Sequence, residues 1–154
     1  MLFRSTILKK DKSEFRKVLR KGLSSTFLIG LLSGIFYILL STQVIEFLFM
    51  RGEFNYIDVQ MTASSLVAYS YALPFLLSAK FFNSVFFAAS KTKFVLIIGF
   101  ISLLTNLILN YVFIFIYDLG HVGLALATTC AATLSWLISL LFIYKINKGI
   151  SYAK

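Results

Sequence analysis

The sequence predicts an all-α integral membrane protein with four transmembrane helices and both termini in the cytoplasm. Hydrophobic residues make up 59% of the 154 residues and charged residues only 14%, whereas a soluble domain carries roughly 25% charged residues. Mean hydropathy is +0.88, and a small soluble fold exposes too much of its surface to hide that much apolar area. The composition therefore excludes a soluble globular enzyme and also a disordered chain.

The apolar residues fall into four long stretches. A helix needs about 20 mainly apolar residues to cross a bilayer, and helices are expected because lipid offers no partner for an unpaired backbone group. The membrane region, 23–144, lies between a basic cytoplasmic or interfacial segment, 1–22, and a basic cytoplasmic tail, 145–154. Its predicted spans cover about 23–42, 62–90, 94–117 and 122–144.

The basic residues set the predicted orientation. The net charge is +9, from 15 basic and 6 acidic residues. In the four-span layout, 13 of the 15 lysines and arginines lie on one side, and Arg51 is the basic residue of the opposite loops. The positive-inside rule then places both termini in the cytoplasm. The charge thus reflects membrane orientation and contact with membrane lipids, and nucleic acid is not an expected partner.

The connection after the first span mixes apolar and charged residues. Residues 43–54 therefore predict a short amphipathic piece on the outer interface of the membrane. Gly52 is expected to end this piece, because glycine accepts the left-handed conformation of a helix C-terminus. Asp58 is expected to be the N-cap of the second long helix, because its carboxylate can accept from first-turn amides.

Lys80 is the charged residue nearest to the middle of a predicted span. It precedes the end of the second span by ten residues, which corresponds to about 15 Å along a helix. Asn83, three residues later, shares its helical face, and Tyr69 continues that face outward. Either this face is a cavity wall that meets an anionic substrate, or the lysine snorkels to the membrane surface.

Pro74 interrupts the second span and predicts a bend there, because proline removes one helical hydrogen bond. Such a bend can be a moving joint of a transport protein or a static packing kink.

The third and fourth spans carry a predicted polar cluster. Asn106 and Asn110 are four residues apart and share a face, and Thr128 is placed to meet them. One role is hydrogen bonding between helices, and the other is coordination of a coupling cation. Because none of the spans has a carboxylate near its middle, a complete cation site would need one from outside this chain.

Small residues are concentrated at two places. The outer half of the fourth span begins with Gly123 and is rich in alanine and threonine, which allows close helix packing. Gly30 and Gly34 of the first span have G-x-x-x-G spacing, a weak signal when it stands alone.

No set of residues predicts catalysis or a cofactor. Neither a nucleophile with a neighbouring base nor a set of metal ligands is present in the sequence. Cys130 is the single cysteine and behaves as a small apolar residue. We therefore expect no enzyme activity, no metal and no cofactor.

Six short motifs follow one another at a spacing that resembles the MurJ/MviN family of lipid II flippases, within the multidrug/oligosaccharidyl-lipid/polysaccharide exporter superfamily. The first contains Arg51, Gly52 and Phe54 in L-F-x-R-G-x-F, followed by Asp58 and Thr-Ala. The others are Tyr69 with Leu-Pro at 73–74, Lys80, F-F-A at 86–88, N-x-x-L-N at 106–110 and G-L-A-L-A-T at 123–128. The family loop D-T-K-T-P is altered here to K-T-K-F at 91–94.

The resemblance implies a fold, a substrate and a partner. The chain is similar to spans nine to twelve of a fourteen-helix flippase, which favours a split or truncated fragment. The implied activity is movement of lipid II, or a similar lipid-linked anionic precursor, across the bacterial cytoplasmic membrane by alternating access. The missing portions would be supplied by another chain. The alternatives are a four-helix scaffold subunit that does not transport and a small oligomeric transporter.

Overall fold

A computed structural model describes residues 12–149 of the chain and the side chains of residues 13–145. Within that range all regular structure is helical and no strand occurs, which confirms the all-α class. The terminal parts of the two predicted basic segments, residues 1–11 and 150–154, lie outside the described residues.

Five α-helices and one π-helical turn make up the described chain. Three of the helices are long and apolar enough to cross a membrane, and a bent pair would form a fourth span. The helices are α1 (Lys12–Phe49), α2 (Tyr56–Ser70), α3 (Leu73–Ala88), α4 (Thr92–Tyr111) and α5 (Gly120–Gly149), and the π-helical turn is Val112–Ile116.

Helix α1 continues beyond the predicted end of the first span. The expected separate piece at 43–54 is wrong for its first seven residues, because the helix runs without a break to Phe49. No glycine or proline occurs between 43 and 49, and Ile45 is buried in a cluster with Val59 and Ala63 of α2. Tertiary packing therefore holds this end of the helix. Gly52, with φ of +59°, lies in the turn that follows.

Asn55, rather than Asp58, is the N-cap of α2. The Asn55 side-chain oxygen accepts from the amides of Ile57 at 2.8 Å and of Asp58 at 3.2 Å. Asp58 occupies the third helical position, and its carboxylate accepts from the Asn55 amide at 2.9 Å. This reciprocal pair is a capping box. The helix thus begins three residues earlier than an Asp58 cap would allow.

The second predicted span is two helices joined at a sharp break. Helices α2 and α3 are bent by 48° relative to each other, and Tyr71 and Ala72 separate them. Pro74 lies in the first turn of α3, where the missing N–H of proline is tolerated.

The bent pair α2–α3 occupies the middle of the bundle. Helix α1 packs along both halves of the pair, α5 also packs against both halves, and α4 packs mainly against α5. At one end, a core cluster joins α1, α3, α4 and α5, and Phe15, from the first turn of α1, is fully buried in it. The bundle is therefore held from its first described turns.

Candidate functional site

Lys80 lines an open groove of about 350 Å³ between α1 and α3. Among the described residues around this groove, Lys80 carries the one charged side chain. The hydroxyl of Thr26 donates to Gly22 O at 2.9 Å, and that of Ser84 donates to Lys80 O at 3.2 Å. Both hydroxyls are therefore engaged within their own helices, and the ammonium is left as the group that can attract an anion. The groove is completed by Ile29, Leu77 and Phe81.

Neither Asn83 nor Tyr69 lines this groove. Asn83 is half-buried on α3, and Tyr69 is 41% exposed in the last turn of α2. A straight helix would place Tyr69 and Lys80 on one face, but the 48° break between α2 and α3 interrupts that face. Tyr69 therefore lies outside the groove that Lys80 lines.

Asn106, Asn110 and Thr128 form a chain of hydrogen bonds between α4 and α5. Asn106 Nδ2 donates to Thr128 Oγ1 at 3.1 Å, and Asn110 Nδ2 donates to Asn106 Oδ1 at 2.9 Å. The hydroxyl of Thr128 donates to Leu124 O at 3.0 Å. The structure therefore brings together the three residues that the sequence placed in one cluster.

The polar chain ends in an unpaired oxygen. Asn110 Oδ1 is buried and has no hydrogen-bond partner among the described residues. Buried polar groups are normally paired, so such an atom needs an explanation. Amide, hydroxyl and backbone carbonyl oxygens are ligands of hard cations. The cluster can thus link the two helices, and its oxygens can also contribute to a cation site.

A π-helical turn follows the polar cluster and packs against Gly123. A Cβ atom at Gly123 would lie only 3.0 Å from Phe113 Cβ, so glycine permits the close approach of α5 to this turn. The turn ends with hydrogen bonds from the amide of Tyr117 to Val112 O at 3.1 Å and from the amide of Leu119 to Phe113 O at 2.9 Å. Such turns often accompany functional sites, and the apolar sequence of 112–116 gave no signal for it.

The remaining motif residues build the connection between α1 and α2. Arg51 and Gly52 are exposed in the turn, and Phe54 packs against the cluster formed by Ile45, Val59 and Ala63. The Arg51 carbonyl accepts from the Phe54 amide at 3.2 Å. This motif therefore shapes a turn and does not line the Lys80 groove.

Sequence reasoning missed Thr129. Its hydroxyl lies 2.8 Å from Ala68 O on α2 and 3.0 Å from Ala125 O on its own helix. A threonine within a small-residue stretch indicates close packing, but the partner carbonyl on another helix has no signature in the sequence.

Comparison with known proteins identifies the family. The sequence profile described as Lipid II flippase MurJ matches residues 5–153. The chain belongs to the MurJ family. In a solved structure described as lipid II flippase MurJ in an inward closed conformation, a similar region covers 97% of this chain with a TM-score of 0.81 and 30% identity. The fold is therefore shared over nearly the whole chain.

The curated relatives are much longer than this chain. A probable lipid II flippase MurJ of Vibrio cholerae is 32% identical over 114 residues, which are 74% of this chain and 21% of the relative. The lipid II flippase MurJ of Thermosipho africanus is 33% identical over 135 residues, 88% of this chain and 28% of the relative. The lipid II flippase MurJ of Burkholderia cenocepacia is 31% identical over 140 residues, which are 91% of this chain and 26% of the relative. The chain thus spans about a quarter of the length of these MurJ relatives.

Proposed function

We propose that this chain forms part of a flippase that moves lipid II across the bacterial cytoplasmic membrane for peptidoglycan synthesis. The observation that carries the proposal is the match with a solved lipid II flippase MurJ over 97% of this chain. The relatives described as lipid II flippases support it. Because the chain corresponds to only 33% of that solved chain, the activity requires further spans, on the same or on another polypeptide.

The proposed mechanism is alternating access. Membrane transporters commonly hold their substrate near the bilayer midplane, between two units that rock against each other. In this proposal the described helices belong to one such unit, with both termini in the cytoplasm as the positive-inside rule predicts. The break near Pro74 defines the direction of α3 within that unit, and the opposing unit completes the cavity.

Lys80 is proposed to meet the anionic head group of the substrate. An ammonium in an apolar groove interacts strongly with an anion, because the local dielectric constant is far below that of water. The two hydroxyls of the groove are engaged within their helices, so Lys80 carries the recognition there. Asn83, which is half-buried on the same helix, and Tyr69, which lies beyond the break, are proposed as wall residues of the cavity outside the groove itself.

Asn106, Asn110 and Thr128 are proposed as part of a coupling-cation site. The support is the unpaired Asn110 Oδ1, which lies beside the hydrogen-bonded pair of Asn106 and Thr128. The side-chain ligands here are neutral, so a carboxylate from the remaining spans would balance the charge of the cation.

The activity can be tested by growth of a strain from which the native flippase is depleted. We expect no growth with this chain alone, and growth when the remaining family spans are supplied with it. In the second case Lys80→Gln should reduce growth, and Lys93→Gln, which changes an exposed lysine in the first turn of α4, should not. Growth restored by the 154-residue chain alone would contradict the need for further spans.

The position of the head group can be tested separately by crosslinking. A lipid II analogue with a photoreactive group near its pyrophosphate should label the assembled protein, and Lys80→Gln should lower the labelling several-fold. Equal labelling of wild type, Lys80→Gln and Lys93→Gln would remove Lys80 from the substrate path and favour a lysine that only snorkels to the surface.

A further inference from the structure

The break between α2 and α3 leaves backbone carbonyls without their usual donors. Pro74 has no N–H, so the carbonyl of Ser70 lacks the donor that a helix supplies four residues later. The amide of Ala72 donates to Tyr69 O, three residues back, at 2.9 Å, so Ala68 O also loses its usual donor. In an apolar environment each unpaired carbonyl is costly, and neighbouring helices have to compensate.

Helix α1 covers one of these carbonyls with a glycine. A Cβ atom at Gly34 would lie 2.8 Å from Ser70 O, closer than real Cβ contacts allow. The Cα–H groups of glycine can approach a carbonyl as weak donors where a larger residue cannot. Gly34 therefore both makes room for the freed carbonyl of Ser70 and faces it.

The next glycine of α1 contacts the other side of the break. A Cβ atom at Gly30 would lie 2.5 Å from Pro74 Cα and 2.8 Å from Leu73 O. Gly30 and Gly34 are four residues apart, as are Ser70 and Pro74, and the two helices run in opposite directions. One turn of α1 thus lies directly against the segment of the bent pair that contains the break.

Helix α5 covers the second freed carbonyl from the other side. The Thr129 hydroxyl lies 2.8 Å from Ala68 O, and this contact joins two residues that are 61 positions apart in the sequence. The carbonyls that the break releases are therefore met by two different helices, Ser70 O by α1 and Ala68 O by α5.

We propose that Gly30, Gly34 and Thr129 are positioning residues that fix the break between α2 and α3. In this view Pro74 makes the break possible, and the two neighbouring helices set and hold its angle. The bend is then a fixed feature of the packed bundle and not a joint that moves independently of α1 and α5. This inference concerns the geometry of the helices and does not depend on what the chain transports.

The angle can be followed with two spin labels placed across the break. In the 154-residue chain that carries Cys130→Ala, the labels are attached at Gln60→Cys on α2 and Phe87→Cys on α3. Both positions are exposed. With a rise of 1.5 Å per residue, complete straightening would lengthen the distance by about 3 Å. Pro74→Ala restores an N–H donor for the Ser70 carbonyl, so the distance in this variant shows in which direction a straighter pair shifts the distribution.

Gly30→Ala, Gly34→Ala and Thr129→Val should each shift or broaden the distance distribution, with the largest effect for Gly30→Ala. Two matched controls should leave it unchanged. Gly99→Ala adds a methyl where no atom lies within 4 Å, and Thr133→Val removes a hydroxyl that bonds only within its own helix at 2.8 Å.

A purely stabilising role gives a different result. It would lower the unfolding temperature of the three variants while the distance distribution stays that of the controls, and that result would overturn the proposal. Should Gly30→Ala fail to fold, Gly34→Ala and Thr129→Val still decide the question, because each touches only one carbonyl oxygen of the bent pair.

Discussion

Helices α4 and α5 are similarly apolar, yet they differ in how much of each is buried. In an apolar stretch of 18 residues, 6% of the residues are buried within 92–116, which contains α4, compared with 33% within 120–145 of α5. Ile98 is the buried residue of α4. The buried positions of α5 are mainly small residues, among them Ala125, Ala127, Ala131, Ala132, Ser135 and Ser139.

The difference shows that side-chain size, more than hydrophobicity, decides which of these two helices is the more buried. Lipid tails are as apolar as leucine, so burial of a leucine against another helix gains little hydrophobic free energy. Small residues let backbones approach closely and gain packing contacts. The large residues of α4, such as Phe100 and Leu103, therefore remain at the surface of the bundle.

The largest expected effect comes from enlarging a buried position of α5. Ala127 is fully buried, and Ala127→Leu should lower the free energy of unfolding by about 1–3 kcal/mol, because overpacking strains the neighbouring helices. Titration with a denaturing detergent in mixed micelles measures this loss. Cys130→Leu changes an exposed position of the same helix and should stay within about 0.5 kcal/mol of wild type. Equal losses in both variants would show that position on α5 does not matter.

An intermediate effect is expected from the hydrogen bond that joins the two helices. Asn106→Ala and Thr128→Val each remove one partner of the 3.1 Å contact. A double-mutant cycle should give a coupling of about 0.6 kcal/mol, the average for such bonds between membrane helices. The same titration applied to Asn106→Ala with Ser135→Ala should give no coupling, since Ser135 bonds within α5. Zero coupling between Asn106 and Thr128 would mean that α4 is held by packing alone.

The smallest effect is expected on the exposed face of α4. Leu103 is 64% exposed, so Leu103→Ala should change the free energy of unfolding by less than about 0.5 kcal/mol. A loss of 2 kcal/mol or more, as for a buried leucine, would show that another helix or a second copy covers this face. The comparison of α4 with α5 would then apply only to the isolated bundle.

The sequence predicted the helical class and the polar cluster because local spacing determines both. Asn106 and Asn110 share a helical face at any tertiary arrangement, and the small residues around Thr128 indicated close approach of the partner helix. Helix ends were harder to predict. Asn55 and Asp58 are both good capping residues, and the choice between them depends on where α2 packs against α1.

The surroundings of Lys80 show where prediction from periodicity fails. A regular helix would place Tyr69 and Lys80, eleven residues apart, almost on one face. Pro74 signalled a bend, but neither its angle nor its direction can be derived from one residue, since both depend on packing. The contacts of Gly30 with Pro74 and of Gly34 with Ser70 connect residues more than 30 positions apart, which no local pattern contains.

The length of α1 exceeds what a single crossing of a bilayer needs. Its 38 residues extend about 57 Å, far more than the roughly 30 Å of a hydrocarbon core. Its first turns carry Arg16, Lys17, Arg20 and Lys21, so this part of the extra length is polar and does not itself create a hydrophobic mismatch. Here Phe15 is packed at one end and Ile45 at the other, so α1 cannot tilt without the helices beside it. A change of membrane thickness would therefore act on the packed helices together and not on α1 alone.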